Sequence, residues 1–133
     1  MINTEGPTPR TVTEQLLPVS FAARHARNFV TEACLRWDLA HLIGPAALII
    51  NELVSNVVDH AHTLMTVEIS YRQSELYLAV HDGADAAPAL RLPDDKTIPS
   101  SGRGLILVAA TATTWGYDHQ DGGKAVWAIQ LTI

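Results

Sequence analysis

Glu52, Asn56 and His60 recur at intervals of four within the stretch Leu48–Thr63, LIINELVSNVVDHAHT. That spacing stacks a carboxylate, an amide and an imidazole along one side of a helix. Such a ladder offers a base and a metal ligand to whatever lies against it. The solvated edge of an ordinary amphipathic helix has the same pattern. Asp82 is a second candidate, because counting by two from Leu76, Leu78 and Val80 puts it on their face of a strand. An acid aimed at the end of a core needs a donor, which either a protein amide or a ligand amino group supplies. A third is Ser101-Gly102-Arg103-Gly104, just before the apolar run LILVAATATT. Glycines ahead of a helix let backbone N–H groups approach an anion such as phosphate, although a plain loop-to-helix turn reads the same.

These groups need elements to hold them. Ile49, Ile50, Leu53, Val57 and Ala61 mark an apolar stripe beside the polar ladder, so the central helix should start near Gly44-Pro45 and run to about His60. Before it, Thr11–Leu17 reads as an edge strand ended by Pro18. A helix follows from Ser20, with Ala22, Ala26, Phe29, Val30, Ala33 and Trp37 on one side and Arg24, Arg27, Glu32 and Arg36 on a solvated other side. After it, Met65, Val67, Ile69 and Tyr71 alternate with polar residues, Gln73-Ser74 makes a tight turn, and Leu76–His81 returns as a hairpin partner. Gly83–Ser101 has no period and is long enough for a lid or binding loop. Trp115–His119, the turn QDGGK and Ala125–Ile133 form a closing hairpin.

Composition narrows the classes. A chain of 133 residues with 47% hydrophobic content has room for one core, expected over residues 11–133 behind a flexible lead, residues 1–10. The net charge of −5 argues against a nucleic-acid footprint, which needs clustered basic residues. With one cysteine, Cys34, no internal disulfide forms, and no uncharged apolar run reaches the roughly 18 residues of a membrane span. The expectation is a cytoplasmic protein without nucleic-acid or membrane partners. Its oligomeric state, a homodimer included, is left open.

Glu52-Leu53-x-x-Asn56-x-x-x-His60-Ala61 resembles the N box of the GHKL, or histidine kinase-like, ATPases. Asp82-Gly83 matches that family's first acidic box, and Gly102-Arg103-Gly104-Leu105 its second glycine box, in the family's order. The resemblance covers the chain from about Leu17 onward. It implies an α+β Bergerat fold: a two-layer sandwich of a mixed, mostly antiparallel sheet with helices on one face. It also implies ATP and Mg²⁺ as cofactors. Asp82 would receive the adenine amino group and Asn56 would help hold the metal. Glu52 would be the base, with His60, Gly83 and the Gly102–Leu105 turn lining the nucleotide and Arg103 clamping phosphate oxygens.

Trp37-Asp38-Leu39, Ser101–Leu105, Trp115-Gly116 and Gly123–Trp127 are similar to small, stand-alone anti-sigma-factor serine kinases of actinobacterial type. That similarity implies a Ser/Thr kinase of an anti-anti-sigma partner that also sequesters a sigma factor. The chain makes three departures from the family: Ala84 and Ala86 stand where glycines are usual, Ala125 stands where a Thr often neighbours the adenine-binding Asp, and Asp59 adds charge near the N box. They motivate the alternative of a degenerate pseudo-kinase that binds protein without ATP turnover. Metal binding by His60, His62 and His81 is a third reading.

Overall fold

The computed structural model describes residues 10–84, 107–108, 110–120 and 122–132. Strand β1 (Arg10–Leu16) is followed by helix α1 (Ala22–Arg36), a 3₁₀ turn (Ala40–Leu42) and helix α2 (Ile43–Asn56). The helix continues as a π turn (Val57–Ala61) before β2 (Met65–Arg72) and β3 (Glu75–Asp82). Residues 107–108 and 110–111 are helical, and β4 (Thr114–Gln120) and β5 (Gly123–Leu131) close the sheet. The expected loop 83–101 falls almost wholly outside the described residues. So do Gly102, Arg103, Gly104 and Leu105.

The strand order is β1-β2-β3-β5-β4, with every one of these pairings antiparallel. The two helices pack on each other, and α2 lies against the central strands β3 and β5. This is the expected two-layer α+β sandwich. Register explains the layer between: Val67, Val80 and Val126 form one cross-strand row, and Ile69, Leu78 and Ala128 the next. All six are buried, as are Ile49, Ile50, Leu53, Val54 and Val57 of the helical segment above them. Each such Val, Leu or Ile side chain contributes about 1.5–3 kcal/mol by leaving water. The segment Ala40–Ala61 is long and apolar enough to cross a membrane, with mean hydropathy 1.4, yet its apolar stripe is spent on the sheet. Its composition is that of a core helix.

Several expected boundaries shift. Arg10, assigned to the loose lead, is the first residue of β1, paired with Tyr71 and 5.3 Å from the centre of its ring. A cation over an aromatic face gives that strand end an anchor. The turn Gln73-Ser74 has φ of 53° and 62°, the left-handed pair that matches hairpin twist. On β5 the buried helix-side row is Lys124, Val126 and Ala128, whereas Trp127 and Ile129 lie half-buried on the open face. The indole of Trp127 covers Gly116, where a Cβ would come within 2.7 Å of it. A strand with apolar residues on both faces does not announce which one faces the helices.

Candidate functional site

Asn56 ends α2 and Asp82 ends β3, and the chain brings the two ends to one edge of the molecule. Only His62–Leu64 separate the π turn from Met65, the register partner of Asp82. His62 adopts φ 56°, and its N–H bonds to the Val57 carbonyl five residues back at 2.8 Å, which closes the turn. Thr63 then ties the connection to the strand end, its Oγ1 accepting the Gly83 N–H at 2.9 Å. A π turn at the end of a helix re-aims the residues on it, which is why such turns concentrate at functional sites.

The ladder along α2 is therefore not straight. Glu52 is half-buried, Asn56 is 4% exposed, and His60, displaced by the wider turn, is on the surface. The four-residue spacing assumed an uninterrupted α-helix. It holds from Glu52 to Asn56, inside α2, and fails for His60. The carboxylate of Glu52 accepts from the Asn51 amide at 3.4 Å, a long and weak contact. The Arg27 guanidinium donates in turn to Asn51 Oδ1. Arg27 thus leaves the solvated flank expected of α1 and links the two helices behind Glu52.

Asn56 carries the most informative atom. Its Oδ1 is buried and has no hydrogen-bond partner among the described residues. Leaving a buried acceptor unmade costs about 1–3 kcal/mol, so such an oxygen calls for a partner, which an ordered water or a ligand can supply. A neutral carbonyl oxygen at a helix end suits Mg²⁺, which accepts one or two protein oxygens beside phosphates and waters. The donor chemistry fits the implied metal.

Asp82 has the opposite condition. Its residue is 8% exposed, on the helix-side face as the alternation predicted. Its Oδ1 accepts the Ala84 N–H at 2.8 Å and the Lys124 ammonium at 3.1 Å. The same Nζ lies 2.9 Å from Oδ2, although no hydrogen bond is aligned on that oxygen. The acid finds both a protein amide and an ammonium inside the chain. Lys124 is 2% exposed and is the register partner of Asp82, in the row Met65, Asp82, Lys124.

That row corrects one sequence assignment. Ala125, taken as the neighbour of Asp82, pairs with His81 and Asp118 and so belongs to the opposite face. The neighbour is Lys124. The pairing of β3 with β5 joins strands far apart in sequence, so no turn fixes its register in advance. The available signal was a lysine one step from the double glycine, opening an apolar strand.

The histidines do not meet. His60 and His62 are exposed, while His81 on the open face bonds Glu68 at 2.9 Å and Gln120 at 3.2 Å. Among the described residues no group of three His, Cys, Asp or Glu side chains is placed to hold a metal. The third reading fails for that cluster.

Comparison with known proteins agrees with this geometry. No curated protein matches the chain, whereas twelve chains of solved structures match its fold. One is the crystal structure of the RsbU and RsbW domains of Rv1364c from Mycobacterium tuberculosis, 19% identical with a TM-score of 0.70. The alignment covers 94% of this chain and 33% of that one, so the likeness is one of fold and spans about a third of the longer protein. The model of the histidine kinase-like ATPase domain matches residues 19–130. By sequence and by fold, this chain belongs to the histidine kinase-like ATPase domain family.

Proposed function

We propose that the protein is an ATP-binding regulator similar to anti-sigma-factor serine/threonine kinases, acting in the cytoplasm on an anti-anti-sigma partner and sequestering a sigma factor. The observation that carries this reading is the buried Oδ1 of Asn56, without a partner among the described residues and one turn beyond Glu52 on α2. Family membership supports nucleotide binding, and the fold shared with a chain that includes an RsbW domain supports a protein partner.

In this reading Asn56 holds Mg²⁺, which neutralises phosphate charge when bound. Glu52 polarises the hydroxyl of the partner's Ser or Thr toward the γ-phosphate. Arg27, through Asn51, positions Glu52. Asp82 and Gly83 border the base, with His60 near the rim, and the sequence Gly102-Arg103-Gly104-Leu105 is assigned to the phosphates.

The Asp82–Lys124 pair favours a second reading, in which a pseudo-kinase of the same fold binds its partner without turnover. Phosphotransfer separates the two. Incubation with γ-labelled ATP and a panel of small anti-anti-sigma proteins should label one of them on Ser or Thr, and Glu52→Ala should abolish labelling while keeping the partner complex. A partner captured with equal affinity by parent and Glu52→Ala, and labelled by neither, establishes the pseudo-kinase.

A further inference from the structure

The geometry points to Lys124 as the residue that sets nucleotide affinity here: its ammonium takes the donor position at Asp82 that a purine amino group would occupy, and closes the base pocket. The inference rests on the nucleotide-binding reading above, since a purine is the competitor it names.

The argument begins from the carboxylate's capacity. An ionised Asp accepts at about four lone-pair positions, and a purine amino group needs one of them with room beside it. Oδ1 already receives the Ala84 N–H and Nζ, at 2.8 and 3.1 Å. Nζ stands 2.9 Å from Oδ2 as well, so an amino group arriving there meets a full positive charge beside its own donor hydrogens. Access is equally restricted, because the Asp82 side chain is 0% and the Lys124 side chain 3% exposed.

Local structure keeps Lys124 in place. Gly122, with φ 73°, and Gly123 bring the start of β5 against the end of β3, where a Cβ on Gly123 would stand 1.9 Å from the Asp82 carbonyl oxygen. The close approach forces residue 124 over the carboxylate. A lysine there supplies internally the donor that a ligand would otherwise bring. Nucleotide must then displace an ammonium from a buried partner, and separating a buried ion pair is expensive.

The replacement that opens the pocket is Lys124→Thr, whose hydroxyl can still donate to Asp82 while the ammonium and two carbons of chain length are removed. Lys124→Gln is a second variant of nearly native length, with folding of both checked by circular dichroism. Calorimetric titration with Mg-ATP is expected to give a millimolar Kd for the parent and at least tenfold tighter binding for Lys124→Thr. Binding by Lys124→Thr equal to or weaker than the parent's would overturn the inference and leave the nucleotide reading standing. Should neither parent nor variants bind at 10 mM nucleotide, the nucleotide reading itself falls. Lys124→Gln, uncharged but long, should fall between the two. A Gln variant as weak as the parent, beside a tight Thr variant, would overturn charge as the obstacle in favour of bulk.

Discussion

Gly123 passes so close to Asp82 that a Cβ on the glycine would stand 1.9 Å from the aspartate's carbonyl oxygen and 3.0 Å from the Cα of Gly83. The neighbour is backbone, which cannot swing aside as a side chain can. Gly123→Ala must push β5 away from β3 at the point where Lys124 meets Asp82. Overpacking of this kind costs about 3 kcal/mol. Urea denaturation should show that loss, together with a weakened contribution from the ion pair. An unchanged midpoint would mean that the strands separate freely at this end.

Asn56 is buried but contributes less to the empty protein than its burial implies. Its Oδ1, without a partner among the described residues, carries a desolvation cost that Asn56→Ala removes along with the packing. The two nearly cancel, so Asn56→Ala should change unliganded stability by less than about 1 kcal/mol, against about 2–5 for a buried Leu→Ala such as Leu53→Ala. Chemical denaturation of both variants, with and without Mg-ATP, tests it. Loss of the ligand-induced stabilisation in Asn56→Ala alone marks a binding residue.

Cys34 lies in the core, where burial pushes its thiol up to about 11 from an ordinary 9.0. The unfolded chain therefore ionises first as pH rises. Stability from this group is complete below pH 9 and is lost between about pH 9 and 11, by up to about 2 kcal/mol. Burial, with Glu68 and Asp118 nearby, also raises Tyr77, which contributes with the same sign. Urea midpoints measured across that range should fall for the parent and fall less steeply for Cys34→Ala. Equal slopes would place the thiol in contact with solvent.

The β2–β3 turn spends energy on two left-handed residues that are not glycine, Gln73 and Ser74. Ser74→Gly relieves the second at a position built for φ above zero, and stabilisation of about 0.5–1 kcal/mol is expected. A thermal melt measures it. Destabilisation would show that the entropy added to the unfolded chain outweighs the relief.

Much of this molecule could be read from residue spacing. The apolar stripe on α2 and the alternation on β2 have single buried faces, and Leu76, Leu78 and Val80 of β3 share the helix-side face, so period alone fixed these elements and oriented Asp82 correctly. Three features escaped for physical reasons. His60 left the ladder because the last turn widened into a π turn, which side-chain periodicity does not encode. The row of β5 that faces the helices was not legible, because Trp127 and Ile129 make its other face apolar as well. Lys124 was missed as the partner of Asp82 because their pairing joins distant strands without a turn to set its register. Family resemblance supplied roles for Glu52, Asn56 and Asp82 that spacing could not.

The central claim is that nucleotide binds where the end of α2 meets the end of β3. Amide chemical-shift mapping of ¹⁵N-labelled protein titrated with Mg-ATP tests it most directly. The account predicts the largest shifts at the Asn56 side-chain amide and at the backbone of Gly83, Ala84 and Gly123, saturating in the millimolar range for the parent. Shifts centred instead on Glu68 and Tyr77 of the open face, or on Phe21 and Arg24 at the start of α1, would contradict it.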